Sequence, residues 1–228
     1  MQRRNFTSSL LTLGGLYWSV EARAADITEG DAAAGIRAAL ERGASSAVSL
    51  LGRSGGFLDN PKVRIQLPGY LNDAAKVLKF TGQQARVDEL VTAMNRAAEQ
   101  AVPQAQVLLV NAVKSMSVDD GRKILTGGEN SATQFFETKT REPLSVKFLP
   151  IVTKATEKVS LADKYNKVAG RGASIGLLTK DQANIQSYVT GKALDGLFLM
   201  IGEEERKIRQ DPVGTGSAIL KKVFGSLR

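Results

Sequence analysis

The chain contains no cysteine and no histidine among its 228 residues. Their absence removes the usual protein ligands of zinc, haem iron and copper, the cysteine nucleophile, the Ser-His-Asp triad and the commonest general base. Catalysis without them has to use paired carboxylates, lysine or Ser-Lys chemistry. The composition therefore favours a binding or structural role over an enzymatic one, and we expect neither a metal nor another cofactor.

Long apolar runs are also absent. The longest one, between Leu10 and Val20, is shorter than the roughly 20 residues that a membrane-spanning helix needs, and no later stretch approaches that length. We therefore expect no transmembrane segment in the mature protein. Because the chain has no cysteine, it can form no disulfide bonds, and a packed apolar core has to stabilise the fold.

The amino-terminal segment has the three parts of a secretory signal peptide. Arg3 and Arg4 make a positive start, the apolar run follows, and Ala22 and Ala24 place small side chains at a cleavage site. We predict cleavage after Ala24 and a periplasmic location.

The export route stays open between two pathways. Arg3 and Arg4, followed by Phe6, resemble the twin-arginine signal, whose translocase carries folded proteins. Gln2 stands where that pattern usually has Ser or Thr, and no Lys follows Phe6, so ordinary Sec export fits equally well.

On this division, residues 1–24 are the signal peptide and residues 25–228 form a single domain. The signal takes away three arginines and one glutamate, which lowers the net charge from +8 to +6. The remaining basic residues are interleaved with acids, as on an ordinary solvated surface. Export argues against a nucleic-acid partner, and the expected partners are an envelope protein or a hydrophobic small molecule.

Apolar residues recur at helical spacing through most of the mature chain. Pro103 should kink the longest helix, Pro143 should begin a new one, and the glycines at 170 and 172 should form a turn. The pattern predicts a helix of about 22 residues from Thr28, followed by helices over 69–79, 87–112, 117–125, 130–140, 143–159, 181–209 and 217–224.

One short segment breaks this pattern. Between residues 62 and 67, Val63, Ile65 and Leu67 alternate with polar residues, which predicts a half-buried extended stretch. No alternation of strands and helices is present. The sequence therefore predicts a single all-α domain of several helices with at most a short extended segment near 62–67.

Two groups of polar residues are candidates for a site. In the first, Asn95 and Glu99 lie one helical turn apart beside an apolar stripe, and Arg96 can reach Glu99. Such a group can bind a ligand, or it can tie neighbouring helices together through buried hydrogen bonds.

The second group lies on the last long helix. Asp195 falls between apolar residues, and Glu205 has the favourable spacing of four to Arg209, as Glu203 has to Lys207. The alternatives are an ion or polar-ligand site and the solvated charged end of a helix.

Three function classes follow. The leading hypothesis is an exported scaffold, adaptor or other binding protein; as a carrier, it would enclose a hydrophobic ligand in a cavity. The rival is a hydrolase of envelope polymers, with two carboxylates about 5–10 Å apart. A third is attachment to anionic envelope polymers through carboxy-terminal cations. The residues proposed for these roles are Leu90, Met94, Leu197 and Phe198 for the cavity, Glu99, Asp195 and Glu205 for hydrolysis, and Lys221, Lys222 and Arg228 for attachment.

The chain resembles the bacterial secreted proteins grouped as domain of unknown function 4197. The resemblance spans nearly the whole mature chain and implies a mostly helical exported domain, but it carries over no activity and no catalytic residue. It rests on GFL at 56–58, VRI at 63–65 with LP at 67–68, MNRAAE at 94–99, AT at 132–133 before FF at 135–136, ALDGLF at 193–198, and IR at 208–209 with DP at 211–212.

Overall fold

The computed structural model describes residues 29–69, 82, 84–174 and 184–211, in which the regular elements are helices and no strand is present. The predicted all-α class is confirmed. The signal peptide and the predicted helices at 69–79 and 217–224 lie wholly or almost wholly outside the described residues. The helices are α1 (Glu29–Gly52), α2 (Gln84–Ala101), a 3₁₀ turn (Val102–Gln104), α3 (Ala105–Lys114), α4 (Val118–Thr126), α5 (Ser131–Thr156), α6 (Ser160–Ser174) and α7 (Ile185–Gln210).

The core forms where α5 and α7 pack against each other and against α1 and α2. Small residues such as Ala44, Ala97 and Ala98 are fully buried and let the helix axes approach closely. Larger side chains fill the space between them. The largest fully buried ones include Phe57, Phe136, Phe148, Leu51, Leu90, Met94, Leu109, Leu144 and Leu197.

The predicted kink at Pro103 is confirmed. Proline has no N–H to donate to the preceding turn, and its ring crowds the carbonyl four positions earlier. The chain meets this constraint with a 3₁₀ turn at Val102–Gln104, which separates α2 from α3. Val102 is fully buried, so the bend is part of the core.

The predicted helix boundary at Pro143 is wrong, because α5 runs unbroken from Ser131 to Thr156 with Pro143 and Pro150 inside it. Both prolines are exposed, so water can reach the carbonyl groups that they leave unpaired. The buried residues of α5 pass both prolines at a constant spacing of four, so core contacts hold the two halves in one helix. They are Ala132, Phe136, Thr140, Leu144, Phe148, Val152 and Thr156.

A spacing of four exceeds one helical turn by about 40°, so this buried stripe winds around α5. The start of α5 consequently faces the end of α7, where Ala132 and Thr133 contact Glu205. Its carboxy-terminal half faces α2.

The segment between α1 and α2 turns back sharply at Gly55, whose φ of 80° is unfavourable for a residue with a side chain. The burial of residues 62–66 alternates as predicted, with Val63 and Ile65 buried and their neighbours exposed. The segment pairs with no strand among the described residues.

The predicted turn at residues 170–172 is also wrong, since these residues lie in α6. Tyr165 and Ala169 are buried on the same helix. Packing by this face outweighs the roughly 1 kcal/mol that each glycine costs in a helix.

Candidate functional site

The carboxylate of Glu99 is buried and binds the turn that follows α1. Its Oε1 accepts hydrogen bonds from the backbone N–H groups of Phe57 and Leu58, both at 3.1 Å. Its Oε2 lies 2.6 Å from Nη1 of Arg96, which also donates to Oγ of Ser54 at 2.9 Å. Glu99 and Arg96 therefore fix the path of the chain from α1 into the extended segment.

The electrostatics of Glu99 follow from these contacts. Burial raises the pKa of Glu99, but the backbone N–H of Leu58, the guanidinium of Arg96 and the N–H of Phe57 together outweigh it. The pKa consequently lies below its ordinary value, and the group is a carboxylate at neutral pH. The hydrogen bond to Glu99 in turn raises the pKa of Arg96.

Asn95, one turn before Glu99, is fully buried and binds Ile65 in the way a neighbouring strand would. Its Oδ1 accepts the N–H of Ile65 at 2.8 Å, and its Nδ2 donates to the carbonyl of Ile65 at 2.9 Å and to that of Val91 at 2.8 Å. A single side chain thus satisfies both backbone groups of Ile65, which explains how an extended segment is buried without a sheet.

Glu205 performs a related task at the other end of the molecule, where it caps α5. Its Oε1 accepts the N–H of Ala132 at 3.0 Å, and its Oε2 accepts the N–H and the hydroxyl of Thr133 at 2.9 and 2.8 Å. Arg209 pairs with Glu205 at 2.8 Å, as its spacing predicts, and also donates to the carbonyl of Ile124 and to Ser131.

Asp195 is exposed and stands apart from both carboxylates. It pairs with Arg141 at 2.8 Å, and Arg141 also lies over the ring of Phe198, 5.3 Å from its centroid. Ten positions separate Asp195 from Glu205 on α7, which corresponds to about 15 Å along the helix axis.

The predicted pair of Glu203 with Lys207 is not formed. Glu203 on α7 instead binds Lys62, in the segment between α1 and α2, at 2.6 Å, while Lys207 binds Glu204 at 2.6 Å. Lys62 precedes the buried Val63, so the packing of that segment brings a distant cation closer to Glu203 than its helical neighbour.

The six candidate residues therefore fall into three places. Asn95, Arg96 and Glu99 hold the segment from residue 54 to residue 65, and Glu205 with Arg209 holds the start of α5. Asp195 belongs to a surface ion pair. The acids proposed for hydrolysis share no hydrogen-bond partner among the residues that the structure describes.

The cavity proposed for a hydrophobic carrier is filled. Leu90, Met94, Leu197 and Phe198 are buried and pack within the main core. A small cavity of about 40 Å³ lies elsewhere, between α1 and the Glu205 region, with Ile36, Leu40 and Phe136 in its wall. It can hold little more than one water molecule.

Sequence reasoning missed an open cleft of about 740 Å³ between α2 and the end of α5. Its residues recur at helical spacing on both helices, a signal that a search for catalytic motifs does not detect. The lining consists of Ala93, Arg96 and Gln100 from α2, and Pro150, Ile151, Lys154, Ala155 and Lys158 from α5 and the turn after it.

Within the described ranges, no helix is long and apolar enough to cross a membrane. Over the same ranges, no group of three or more acidic side chains is arranged to hold a metal ion.

The family model described as protein of unknown function (DUF4197) matches residues 26–225. The chain belongs to this family. No curated protein and no solved structure matches it. Membership in DUF4197 thus confirms the resemblance in the sequence, while the family description assigns no activity.

Proposed function

We propose that this DUF4197 protein is exported to the cell envelope and acts there by binding a ligand or partner rather than by catalysis. One contrast carries the proposal. The buried carboxylates are occupied by backbone N–H groups of the protein itself, whereas the cleft between α2 and α5 is open and about 740 Å³ in volume. Ligand sites commonly have volumes of about 300–1,000 Å³.

The hydrogen bonds of Glu99 and Glu205 argue against the hydrolase alternative. Each carboxylate accepts two backbone N–H groups and an arginine. Protonating either one during a catalytic cycle would release a turn or a helix terminus. Asp195 lies about 15 Å from Glu205 along α7, farther than the pair of acids in a glycosidase.

The packed core also changes where a carrier would hold its ligand. The internal faces around Met94 and Leu197 are occupied by side chains, so we place the ligand in the cleft at the surface. The cleft lies on two packed helices, and α2 is held in turn by the contacts of Asn95 and Glu99. A rigid frame of this kind suits binding with little reorganisation.

The place of the family match supports export. The matched region begins at residue 26, just after the predicted cleavage site at Ala24. The amino-terminal signal pattern therefore precedes the family region and does not form part of it.

Native mass spectrometry of the protein purified from its own periplasm tests the proposal. We expect a mass above that of the bare polypeptide, and we expect Ala155→Trp, which fills the cleft, to abolish the excess. Ala38→Trp is the matched control, because Ala38 is exposed on α1 and is not part of the cleft lining. A bare mass for the unmodified protein, or equal losses in the two variants, would contradict ligand binding in the cleft.

A further inference from the structure

We infer that the cleft between α2 and α5 binds a lipid-like organic phosphate, with the phosphate at Arg96, Lys154 and Lys158 and the apolar part along the cleft floor. The inference rests on the proposed binding function and names the ligand class.

Charge gives the first argument. Three of the residues that line the cleft are cations, and none is acidic. Lys154 and Lys158 are exposed, stand four positions apart, and form no ion pair among the described residues. Two like charges beside one cleft repel each other. A bound anion would remove that repulsion.

Arg96 gives the second argument, because it is held in place before any ligand arrives. Its two hydrogen bonds, to Glu99 and Ser54, both leave from Nη1. The other guanidinium nitrogens, Nη2 and Nε, keep their donors for a ligand. The carboxylate of Glu99 anchors Arg96 through Oε2, while its Oε1 accepts the backbone N–H groups of Phe57 and Leu58.

The number of cations favours phosphate over carboxylate. A phosphate monoester carries about −1.5 to −2 charges at pH 7 on three free oxygens in a tetrahedral arrangement, so one group can meet an arginine and two lysines together. A carboxylate has two oxygens in one plane and would leave part of the charge uncompensated.

The floor of the cleft favours a ligand with an apolar part. Ala93, Pro150, Ile151 and Ala155 contribute apolar surface beside the cations. An inorganic anion would leave that surface exposed to water, whereas short acyl chains or a similar group would cover it.

Isothermal titration calorimetry with dihexanoyl phosphatidic acid, a phosphate monoester, below its micelle concentration tests this ligand class. We expect saturable binding that Lys154→Gln with Lys158→Gln weakens by about tenfold or more. Lys139→Gln with Lys147→Gln is the matched control, because it removes the same charge from exposed positions of α5 outside the cleft lining. Equal weakening by both double variants would overturn the inference.

Two further probes separate the parts of the ligand. We expect glycerol 3-phosphate and hexanoate each to bind at least about tenfold more weakly than the phospholipid. If glycerol 3-phosphate binds with the same affinity as the phospholipid, the ligand needs no apolar part and is a free phosphate ester. If hexanoate binds with the same affinity as the phospholipid, the cleft does not recognise a phosphate group.

The native mass spectrometry and the calorimetry together distinguish a failure of this inference from a failure of the proposed binding function. If native mass spectrometry finds a cleft ligand without phosphate, the binding function stands and the inference is wrong. If Ala155→Trp changes neither the excess mass over the bare polypeptide nor the affinity for the phospholipid, the proposed binding in the cleft and the inferred ligand class are both wrong.

Discussion

The carboxylate of Glu205 accepts a hydrogen bond from the backbone N–H of Ala132, 3.0 Å away and 73 positions earlier in the chain. Asn130, at the N-cap position of α5, makes no side-chain cap of its own. A side chain on α7 therefore accepts hydrogen bonds from the free N–H groups in the first turn of α5. In most helices the N-cap residue of the same helix accepts these hydrogen bonds. The start of α5 depends on the docking of α7.

Glu205→Gln should lower the free energy of unfolding by about 2 kcal/mol, because the new amide places a donor against the N–H groups of α5 or against Arg209. Glu204→Gln is the control on the same helix; Glu204 pairs with the exposed Lys207, so we expect a change of about 0.5 kcal/mol. Urea unfolding followed by circular dichroism measures both. Similar losses would contradict the capping role.

Glu99 should make the protein less stable in acid. Its pKa is lowered in the folded chain, so the stabilisation is present above the ordinary value of 4.5 and is lost as the pH falls through the folded value. Glu99→Gln should therefore reduce the slope of unfolding free energy against pH on the acid side. Glu89→Gln, at an exposed position of α2, controls for the lost charge. Equal effects of the two substitutions would refute the prediction.

Asn95→Ala should cost about 2–3 kcal/mol, because it leaves the buried N–H and carbonyl of Ile65 without partners. The amide of Ile65 should also exchange with solvent faster in the variant, as hydrogen exchange by nuclear magnetic resonance would show. Asn111→Ala, at an exposed position on α3, should change neither quantity. Unchanged protection of Ile65 in Asn95→Ala would argue against the pairing.

Two glycines of α7 should respond in opposite directions to alanine. A Cβ at Gly196 would lie 2.8 Å from Cε1 of the buried Phe57 and 3.2 Å from Cβ of Val63, so Gly196→Ala should destabilise by about 1–3 kcal/mol. At Gly191 nothing lies within 4 Å, and Gly191→Ala should stabilise by about 0.5–1 kcal/mol. Thermal unfolding measures both. A stabilising Gly196→Ala would show that this contact is not tight.

The export signal can be tested directly. Changing Arg3 and Arg4 to Lys should block export if the twin-arginine machinery reads the signal, whereas the Sec route needs only the positive charge and should tolerate the change. On either route, Edman sequencing of the periplasmic protein should begin at Ala25. Recovery of the chain from Met1 in the cytoplasm alone would overturn both the location and the domain boundary.

Local patterns were sufficient to predict most of the described helices. Helical spacing and the position of Pro103 each act within a few residues, and the structure contains both features. The pairs of Arg96 with Glu99 and of Glu205 with Arg209 could be predicted for the same reason, since one helical turn brings them together.

Contacts between distant segments were decided by the tertiary structure. Pro143 was expected to begin a helix, but the packing of Phe136, Leu144 and Phe148 holds α5 together across it. Asn95 was recognised as a polar residue beside an apolar stripe and Glu205 as the helical partner of Arg209, yet their partners at Ile65 and Ala132 depend on how the helices dock. The cleft likewise exists only because α2 and α5 pack side by side. Helical periodicity indicates which face of a helix is buried, and the docking of the whole chain determines what that face contacts.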